Sequence, residues 1–414
     1  MVFVNVDIGT VTWSALNTEL NISFAVLTGS FGLCCAGLAV GCVLFIPFAL
    51  KFGRRPVYLV SITVSFAAAV WSARMMTGGD LLGTNLVGGL AGSIAETICQ
   101  MTIADIFFVH QRGTANGVYL LMVNMGAFLA PVAAGYAADS MGWRWIWWLT
   151  AILFAVCLLL YIFFYEETKY DPVDHGVMPS AAPEILEQLP NHEDAKDVDM
   201  KAAELGVSTA NERLVDRTIP RKTYLQRLAI FPPNTDFSGG WTALVKHAYQ
   251  PFIIITLFPA ITYSALMYGS ILAWFSVIVN VWSIYFILPP YNFSAAGIGL
   301  MNLPPFIGGI VGSLYGGLLN DWLIIRLSRR NKGIFEPEMR LWVALPAVLA
   351  MPASILLFGL ATANGLHWIV PCIGSGIFGF AMVTLGDVGL TYAMDCYCEV
   401  SIMPFSCEMI AYQM

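Results

Sequence analysis

Charged residues are scarce in this sequence. Only 11% of the 414 residues are Asp, Glu, Lys or Arg, whereas 58% are hydrophobic. A soluble protein of this length needs a charged surface, so the composition excludes a large soluble domain. The net charge of −7 comes mainly from one polar loop and gives no sign of a nucleic-acid partner.

The sequence also lacks the patterns of metal sites and of hydrolytic enzymes. Its nine cysteines lie mostly inside apolar runs and form no repeated Cys-x-x-Cys pair. They are predicted to be packing residues rather than zinc ligands or disulfides. Because the sequence also has no nucleophile elbow, we expect no enzyme activity, no metal and no cofactor.

Long apolar runs dominate instead. The 29 residues from Ile22 to Leu50 carry no charge and would form a helix of about 43 Å, long enough to cross a bilayer. Ala248 to Asn320 is free of charge over 73 residues, which is too long for one helix. The sequence therefore predicts an all-α integral membrane protein with nine full transmembrane helices, at about residues 22–50, 56–73, 81–104, 114–138, 143–165, 250–280, 296–323, 341–361 and 367–394.

Basic residues predict how the chain is oriented. Lys and Arg flanking a span are retained in the cytoplasm, so the basic turn at residues 51–56 is placed inside. Alternating helices then leave eighteen of the twenty Lys and Arg residues inside, and only Arg74 and Arg144 outside. Two Asn-x-Ser sequons, at Asn21 and Asn292, fall outside and are candidate glycosylation sites. The polar residues 166–247 are predicted to be a partly disordered cytoplasmic loop.

The basic turn resembles the loop between the second and third helices of the major facilitator superfamily, whose motif is Gly-x-x-x-Asp-Arg-x-Gly-Arg-Arg/Lys. Four residues match it: Lys51, Gly53, Arg54 and Arg55. Leu50 replaces the Asp of the motif and Ile46 its first Gly, so the anionic member is missing. A second copy later in the chain keeps its Asp and consists of Gly317, Asp321 and Arg326. Two such turns indicate an internal repeat.

Residues 104–113, with Asp105 and Arg112, resemble the loop after the fourth helix of fungal drug:proton antiporter-like transporters. The next run resembles the antiporter motif of the fifth helix, and the motif positions hold Gly117, Gly126, Ala130, Pro131, Ala134 and Gly135. Residues 126, 130 and 134 form one stripe of small residues suited to tight packing, and Pro131 bends the helix. An ordinary kinked packing helix is the alternative interpretation.

The resemblance implies a bundle of two halves that alternate access to a site at the midplane. The first half would be residues 1–165, matching family helices two to six. The second would be residues 248–395, matching helices seven to ten, with residues 166–247 between them and a divergent tail at 396–414. Met1 to Val11 is too short to span and looks like the stump of a lost helix. The chain is therefore expected to lack the first family helix and the last two.

The implied function is secondary active transport of small organic molecules. We expect proton-coupled export of drug-like or organic-cation substrates by a monomer in the plasma membrane. The expected partners are the substrate, protons and the lipid bilayer. Two alternatives stay open: an importer of organic cations or polyamines, and a truncated or incomplete gene product that does not transport.

Proton coupling needs a carboxylate that can change its charge within the membrane, and Glu96 and Asp387 are the candidates. Gly88, Gly92 and Glu96 share one helix face, so Glu96 is predicted to point into the bundle. Either acid could instead make a structural hydrogen bond to a neighbouring helix.

Other residues are assigned to the gates and to the cavity. Three charged residues at the cytoplasmic side are predicted to hold the protein in one conformation, and they are Asp105, Arg112 and Asp321. The aromatic candidates for lining a cavity for an organic cation are Tyr263, Tyr268 and Trp274. Aromatic residues in a span also serve as packing or interface residues, and that interpretation stays open here.

Overall fold

The computed structural model describes residues 2–107, 109–168, 248–249, 252–253, 255–331 and 336–396. Some side chains within helices fall outside this description, among them those of Glu96, Arg112 and Asp321. The predicted loop at residues 166–247 and the predicted tail at 396–414 lie almost wholly outside it. Throughout the described residues the regular elements are helices, and no strand occurs among them.

The first half of the bundle holds α1 (Val2–Val11), α2 (Trp13–Leu20), α3 (Phe24–Phe52), α4 (Arg54–Ala73), α5 (Gly78–Ile106), α6 (Val109–Met141) and α7 (Trp143–Phe164). The second half holds α8 (Pro259–Tyr285), α9 (Ala295–Leu300), α10 (Leu303–Leu314), a π-turn (Tyr315–Leu319), α11 (Asn320–Arg330), a 3-10 turn (Pro337–Arg340), α12 (Leu341–Ala363) and α13 (Ile369–Cys396). All these helices belong to one compact unit.

Nine helical segments of the described chain are long and apolar enough to cross a membrane, which confirms the predicted number. The segment from α9 to α11 counts as one span of 36 residues. We call the end of the bundle at Asn21 and Asn292 the outer end, and the end at Arg54 and Arg330 the inner end, following the predicted topology.

Two boundaries differ from the prediction. Helix α8 begins at Pro259, whereas the predicted span begins near residue 250. The described residues 248–249, 252–253 and 255–257 are also helical, and Phe258, with an extended backbone, separates them from α8. The residue before a proline is pushed out of the helical region, and Pro259 itself fits the first turn of a helix. The eighth span does not stop near residue 323 but continues through α11 to Arg330. Arg329 and Arg330 lie in its last turn, where positive charge interacts favourably with the helix dipole.

The first twenty residues contribute more helix than the sequence predicted. Helices α1 and α2 are separated by a single position, Thr12, and α1 packs against α5 and α6. Ile8, Trp13 and Leu16 are all buried. This segment is therefore part of the bundle, although neither helix alone is long enough to span.

Helices α3 and α5 cross in backbone contact. A Cβ atom added to Gly37 would lie 2.7 Å from the carbonyl oxygen of Leu86, and one added to Gly41 would lie 2.7 Å from that of Leu90. These distances leave no room for a side chain. Glycine at the two positions, four residues apart on one face, sets the separation of the two helices.

The same crossing recurs between α10 and α13. Gly308 faces the carbonyl oxygen of Gly376, and Gly312 faces that of Phe380. Adding 271 to the residue numbers of the two α3 glycines gives those of the two α10 glycines. Adding 290 to the residue numbers of their α5 partners, Leu86 and Leu90, gives those of the α13 partners. Two helix pairs with one geometry are the structural form of the internal repeat that the two motif copies indicate.

The offset of 271 also relates the two sequons, at Asn21 and Asn292. Both asparagines have left-handed backbones, with φ of 52° and 51°. Each stands two residues before the N-cap serine of a helix, Ser23 or Ser294. Asn tolerates the left-handed region better than most residues, and Ser is a favoured N-cap. Both sequons therefore have a structural reason to be present.

Glycosylation at these two exposed asparagines stays a prediction. If both carry glycans, peptide N-glycosidase F will increase the mobility of the native protein, and the Asn21→Asp and Asn292→Asp variants will each show a smaller shift. Aspartate is chosen because it keeps the preference for the left-handed turn. A native protein from a glycosylating host that shows no shift would leave only the turn function.

Candidate functional site

At the inner end, Arg54 links the α3–α4 turn to α5. Its Nε lies 2.9 Å from Oδ2 of Asp105, and its Nη1 donates to the carbonyl oxygen of Ala49 at 3.3 Å. Arg54 is only 8% exposed, and a buried charge needs such a partner. Asp105, 51 residues further along the chain, thus supplies an acid that the motif lacks at Leu50.

Glu167, just after α7, binds the same turn. Its Oε1 and Oε2 accept hydrogen bonds from the backbone N–H groups of Arg54 and Arg55, at 2.9 and 3.1 Å. These groups begin α4, where they have no partner within the helix and where negative charge is favoured. Gly53 makes room, because its φ is +98° and a Cβ there would lie 2.7 Å from Cδ of Glu167. The motif glycine is therefore required both by conformation and by space.

The Glu167→Ala variant is expected to melt at a lower temperature than the native protein. The substitution leaves two N–H groups without their charged acceptor. In a partly buried site this should lower the free energy of unfolding by about 1–3 kcal/mol. Glu167→Gln keeps an acceptor and should lose less. The measurement is thermal unfolding of the purified protein in detergent by intrinsic fluorescence. Identical curves for all three proteins would show that Glu167 does not hold the turn.

Helix α6 carries the antiporter motif on two faces. Ala130 and Ala134, from the predicted stripe of small residues, pack against Ile8 of α1 and Ile146 of α7. This face therefore packs inside the first half. Gly126 belongs to the same stripe and is partly buried.

The adjoining face of α6 meets the second half. A Cβ on Gly135 would lie 2.6 Å from the carbonyl oxygen of Ala295, and a Cβ on Gly299 would lie 2.6 Å from that of Pro131. The two backbones touch here, as small residues allow in membrane bundles. The motif thus joins the halves through Pro131 and Gly135 rather than through the predicted stripe.

Phe128 lies on this second face, nearer the middle of the bundle. It is 1% exposed and meets the ring of Phe275 in α8 edge to face, at 5.7 Å between centroids. Nearer the outer end, Ile284 of α8 packs against the cluster that contains Trp13 and Leu16. The described contacts between the halves thus run from the middle of the bundle to the outer end.

Asp387 lies on α13 against the π-turn. A Cβ on Gly316, within that turn, would lie 3.3 Å from Oδ2 of Asp387. The carboxylate therefore faces the α10–α11 segment inside the second half. Thr384, one turn earlier, donates to the carbonyl oxygen of Gly312 at 3.2 Å. π-turns are often found at functional sites, so this contact makes Asp387 a residue of interest.

The side chain of Glu96 lies outside the described residues, although its backbone belongs to α5. The repeat offset of 290 makes Gly386 its counterpart. A Cβ on Gly386 would lie 3.0 Å from Cε2 of Tyr268 in α8. Helix α5, which carries residue 96, packs against α1, as α13 packs against α8.

A third acid, Asp7 of α1, was missed from the sequence. It is 6% exposed, and among the side chains that the structure describes it is the one fully buried carboxylate. Helix α1 contacts α5 and α6 of the first half and α8 of the second. The available signal was a single acid within an otherwise uncharged run from Val2 to Thr18, a pattern that marks functional acids in membranes.

The aromatic candidates are separated in the structure. Tyr268 lies against α13 at Gly386, next to Asp387. Tyr263 is 45% exposed and meets the ring of Tyr392 edge to face, at 6.2 Å. Trp274 is 44% exposed on α8. Of the three, Tyr268 is the one brought close to a candidate acid.

The remaining motif residues are placed as follows. Lys51 Nζ lies 5.3 Å from the ring centroid of Phe52, and the Arg326 guanidinium lies 5.1 Å from that of Trp322 within α11. A Cβ on Gly317 would meet no atom within 4 Å. The side chains of Arg112 and Asp321, and the surroundings of Gly117, lie outside the described residues.

Nine spans within the described ranges, a repeated helix crossing and a helix α6 that joins two halves define a transporter-type membrane bundle. The family model described as Major Facilitator Superfamily matches residues 1–396. The chain therefore belongs to the major facilitator superfamily, a family of small-molecule transporters and not of enzymes.

Individual relatives agree with this assignment. An uncharacterised MFS-type transporter of Schizosaccharomyces pombe is 30% identical over 92% of this chain and 68% of its own length. The MFS antiporter QDR3 of Candida albicans is 24% identical over 91% of this chain, which spans 64% of that relative. Among solved structures, the xylose transporter XylE from E. coli, in a partially occluded inward-open conformation, matches with a TM-score of 0.57 and 13% identity, over 100% of this chain and 85% of that one. The last likeness shows the fold alone.

Proposed function

We propose that the chain exports small organic cations in exchange for protons, as a monomer in the plasma membrane. The observation that carries the proposal is the position of α6, whose antiporter-like motif forms the backbone contact between the halves at Gly135 and Gly299. A helix that touches both halves must shift when they rock. The Candida relative, an antiporter by name, supports exchange rather than symport.

The coupling step is assigned to the acids of equivalent helices. Glu96 on α5 and Asp387 on α13 occupy neighbouring positions of the repeat, since Thr97 is the counterpart of Asp387. Desolvation favours the protonated form of such an acid, and a bound cation favours the ionised form. We assign the coupling proton to Glu96, since the Asp387 carboxylate packs against Gly316 within its own half.

Asp7 is a further buried acid of the first half. It lies on α1, a helix that contacts α5 in the first half and α8 in the second. A buried carboxylate is costly unless it is protonated or paired. An organic cation is one partner of suitable charge, so Asp7 is proposed to attract the substrate while Glu96 exchanges the proton.

The proposed experiment uses the purified chain in proteoliposomes. With an acidic lumen, exchange of protons for an external cation predicts accumulation of tetraphenylphosphonium or ethidium above protein-free liposomes, abolished by nigericin. Accumulation of spermidine only when the outside is acidic would favour the alternative importer. No uptake in either direction by well-folded protein would favour the non-transporting alternative.

A further inference from the structure

A hydrogen bond joins the two halves at their outer end. Asp139, near the end of α6, accepts a hydrogen bond through Oδ2 from the backbone N–H of Ala296 in α9, at 3.1 Å. The residues belong to different halves and lie 157 positions apart in the sequence. The bond thus spans the boundary that must open if the site is to face outward.

The contact completes a continuous face of α6. Phe128, Val132, Gly135 and Asp139 recur at intervals of three or four residues, so they line one side of the helix. Phe128 is buried against the second half, and Gly135 approaches the carbonyl oxygen of Ala295. Below Asp139 the interface is apolar and close-packed. Of these four residues, Asp139 is the one whose contact depends on direction and charge.

The bonded N–H group is also specific. Ser294 is the N-cap of α9 and accepts from the N–H of Gly297 at 3.4 Å. Ala296 precedes that residue, and its N–H is satisfied from the other half instead. Separating the halves would therefore break this hydrogen bond. The N–H group of Ala296 and the carboxylate of Asp139 would then be left to water.

Two other outer-end acids are engaged differently. Asp80 accepts from the N–H groups of Met76 and Thr77, and so caps α5 within its own half. Glu19 accepts from Trp143 Nε1 at 2.8 Å, again within the first half. Neither of these described bonds crosses between halves. Asp80 is therefore a suitable matched control for Asp139.

We infer that Asp139 is an outer gate residue, whose bond to Ala296 stabilises the outward-closed state relative to the outward-open state. The inference rests on the proposed transport function, because only a protein that alternates access needs such a balance. Removing the acceptor raises the fraction of molecules open at the outer end. It changes neither the interior acids nor the close contact of Gly135.

Hydrogen–deuterium exchange of the peptide that contains Ala296 tests this directly. In the Asp139→Ala variant, without substrate, exchange in this peptide is expected to rise about five-fold, the effect of losing a favourable charge contact at a helix start. Asp139→Asn keeps an acceptor and should give a smaller rise. Asp80→Asn should leave the peptide unchanged, and all four proteins should elute as folded monomers.

The result is independent of whether the transport assay succeeds. Native exchange in the Asp139→Ala variant would overturn the inference, because the bond would then not protect the outer contact. An equal rise with Asp80→Asn would also overturn it, since the effect would follow loss of any outer charge. If exchange is faster only in the Asp139 variants and the native protein transports no cation, Asp139 is still an outer gate residue, and the proposed substrate is wrong.

Discussion

The Gly37→Val variant is expected to yield almost no folded protein, whereas Gly32→Val on the same helix is expected to fold normally. A Cβ at position 37 would lie 2.7 Å from the Leu86 carbonyl oxygen and 3.1 Å from the Leu90 nitrogen. Both are backbone atoms, which cannot turn away as a side chain can. Overpacking costs about 1–3 kcal/mol or more even where side chains can adjust.

Position 32 is a close control, because a Cβ there would meet no atom within 4 Å. The readout is the monodisperse peak of a fluorescent fusion on size-exclusion chromatography. The repeat allows a second test, in which Gly308→Val should fail and Gly359→Val, also without near atoms, should be tolerated. A native-like peak for Gly37→Val would mean that α3 and α5 are further apart than described.

The number of spans was predictable because charge is excluded from a bilayer core. The charges of Lys51, Arg54 and Arg55 therefore mark where one span ends and the next begins. The segment Val2–Leu20 was underestimated by the same criterion, since it consists of two short helices that meet at Thr12 and neither is long enough alone. Its packing against α5 and α6 is a tertiary contact, which the length of an apolar run cannot predict.

The repeat was only partly visible in sequence. The two basic turns indicated it, but the crossings at Gly37 and Gly308 depend on which glycines meet a neighbouring backbone. Local spacing gives a partial signal, since Gly37 has Gly41 four residues further on whereas Gly32 has no glycine at that spacing, but it does not show which backbone Gly37 meets. The offset between sequons, by contrast, could have been read from Asn21 and Asn292 alone.

Site residues show the same limit. Motif resemblance selected Arg54 and Asp105 as charges of the predicted inner end. That they form an ion pair with each other, across 51 residues of sequence, is visible only in the structure. Glu167 was missed because it stands at the edge of a polar stretch, where one acid among many carries no local signal. Its function becomes clear only from the two N–H groups that it accepts from.

In a protein that exchanges cations for protons, Glu96→Gln is expected to abolish pH-driven accumulation and to retain substrate counterflow. A bound cation favours the ionised form of Glu96 and a proton neutralises it, so binding of the two is mutually exclusive. A glutamine side chain cannot bind and release a proton, so a proton gradient can no longer drive accumulation of the cation. Rocking of the halves requires no net proton movement once the site is permanently neutral, so exchange of labelled for unlabelled cation continues.

Asp387→Asn is the matched comparison, since position 387 lies on the equivalent helix of the other half, one residue from the counterpart of position 96. Its carboxylate packs against Gly316, so its loss should lower thermal stability while the pH dependence of uptake stays native. Asp7→Asn should weaken apparent cation affinity and keep coupling. Unchanged pH dependence in Glu96→Gln would make Glu96 a packing residue, and the coupling proton would then belong to whichever of Asp7 and Asp387 removes the pH response when neutralised.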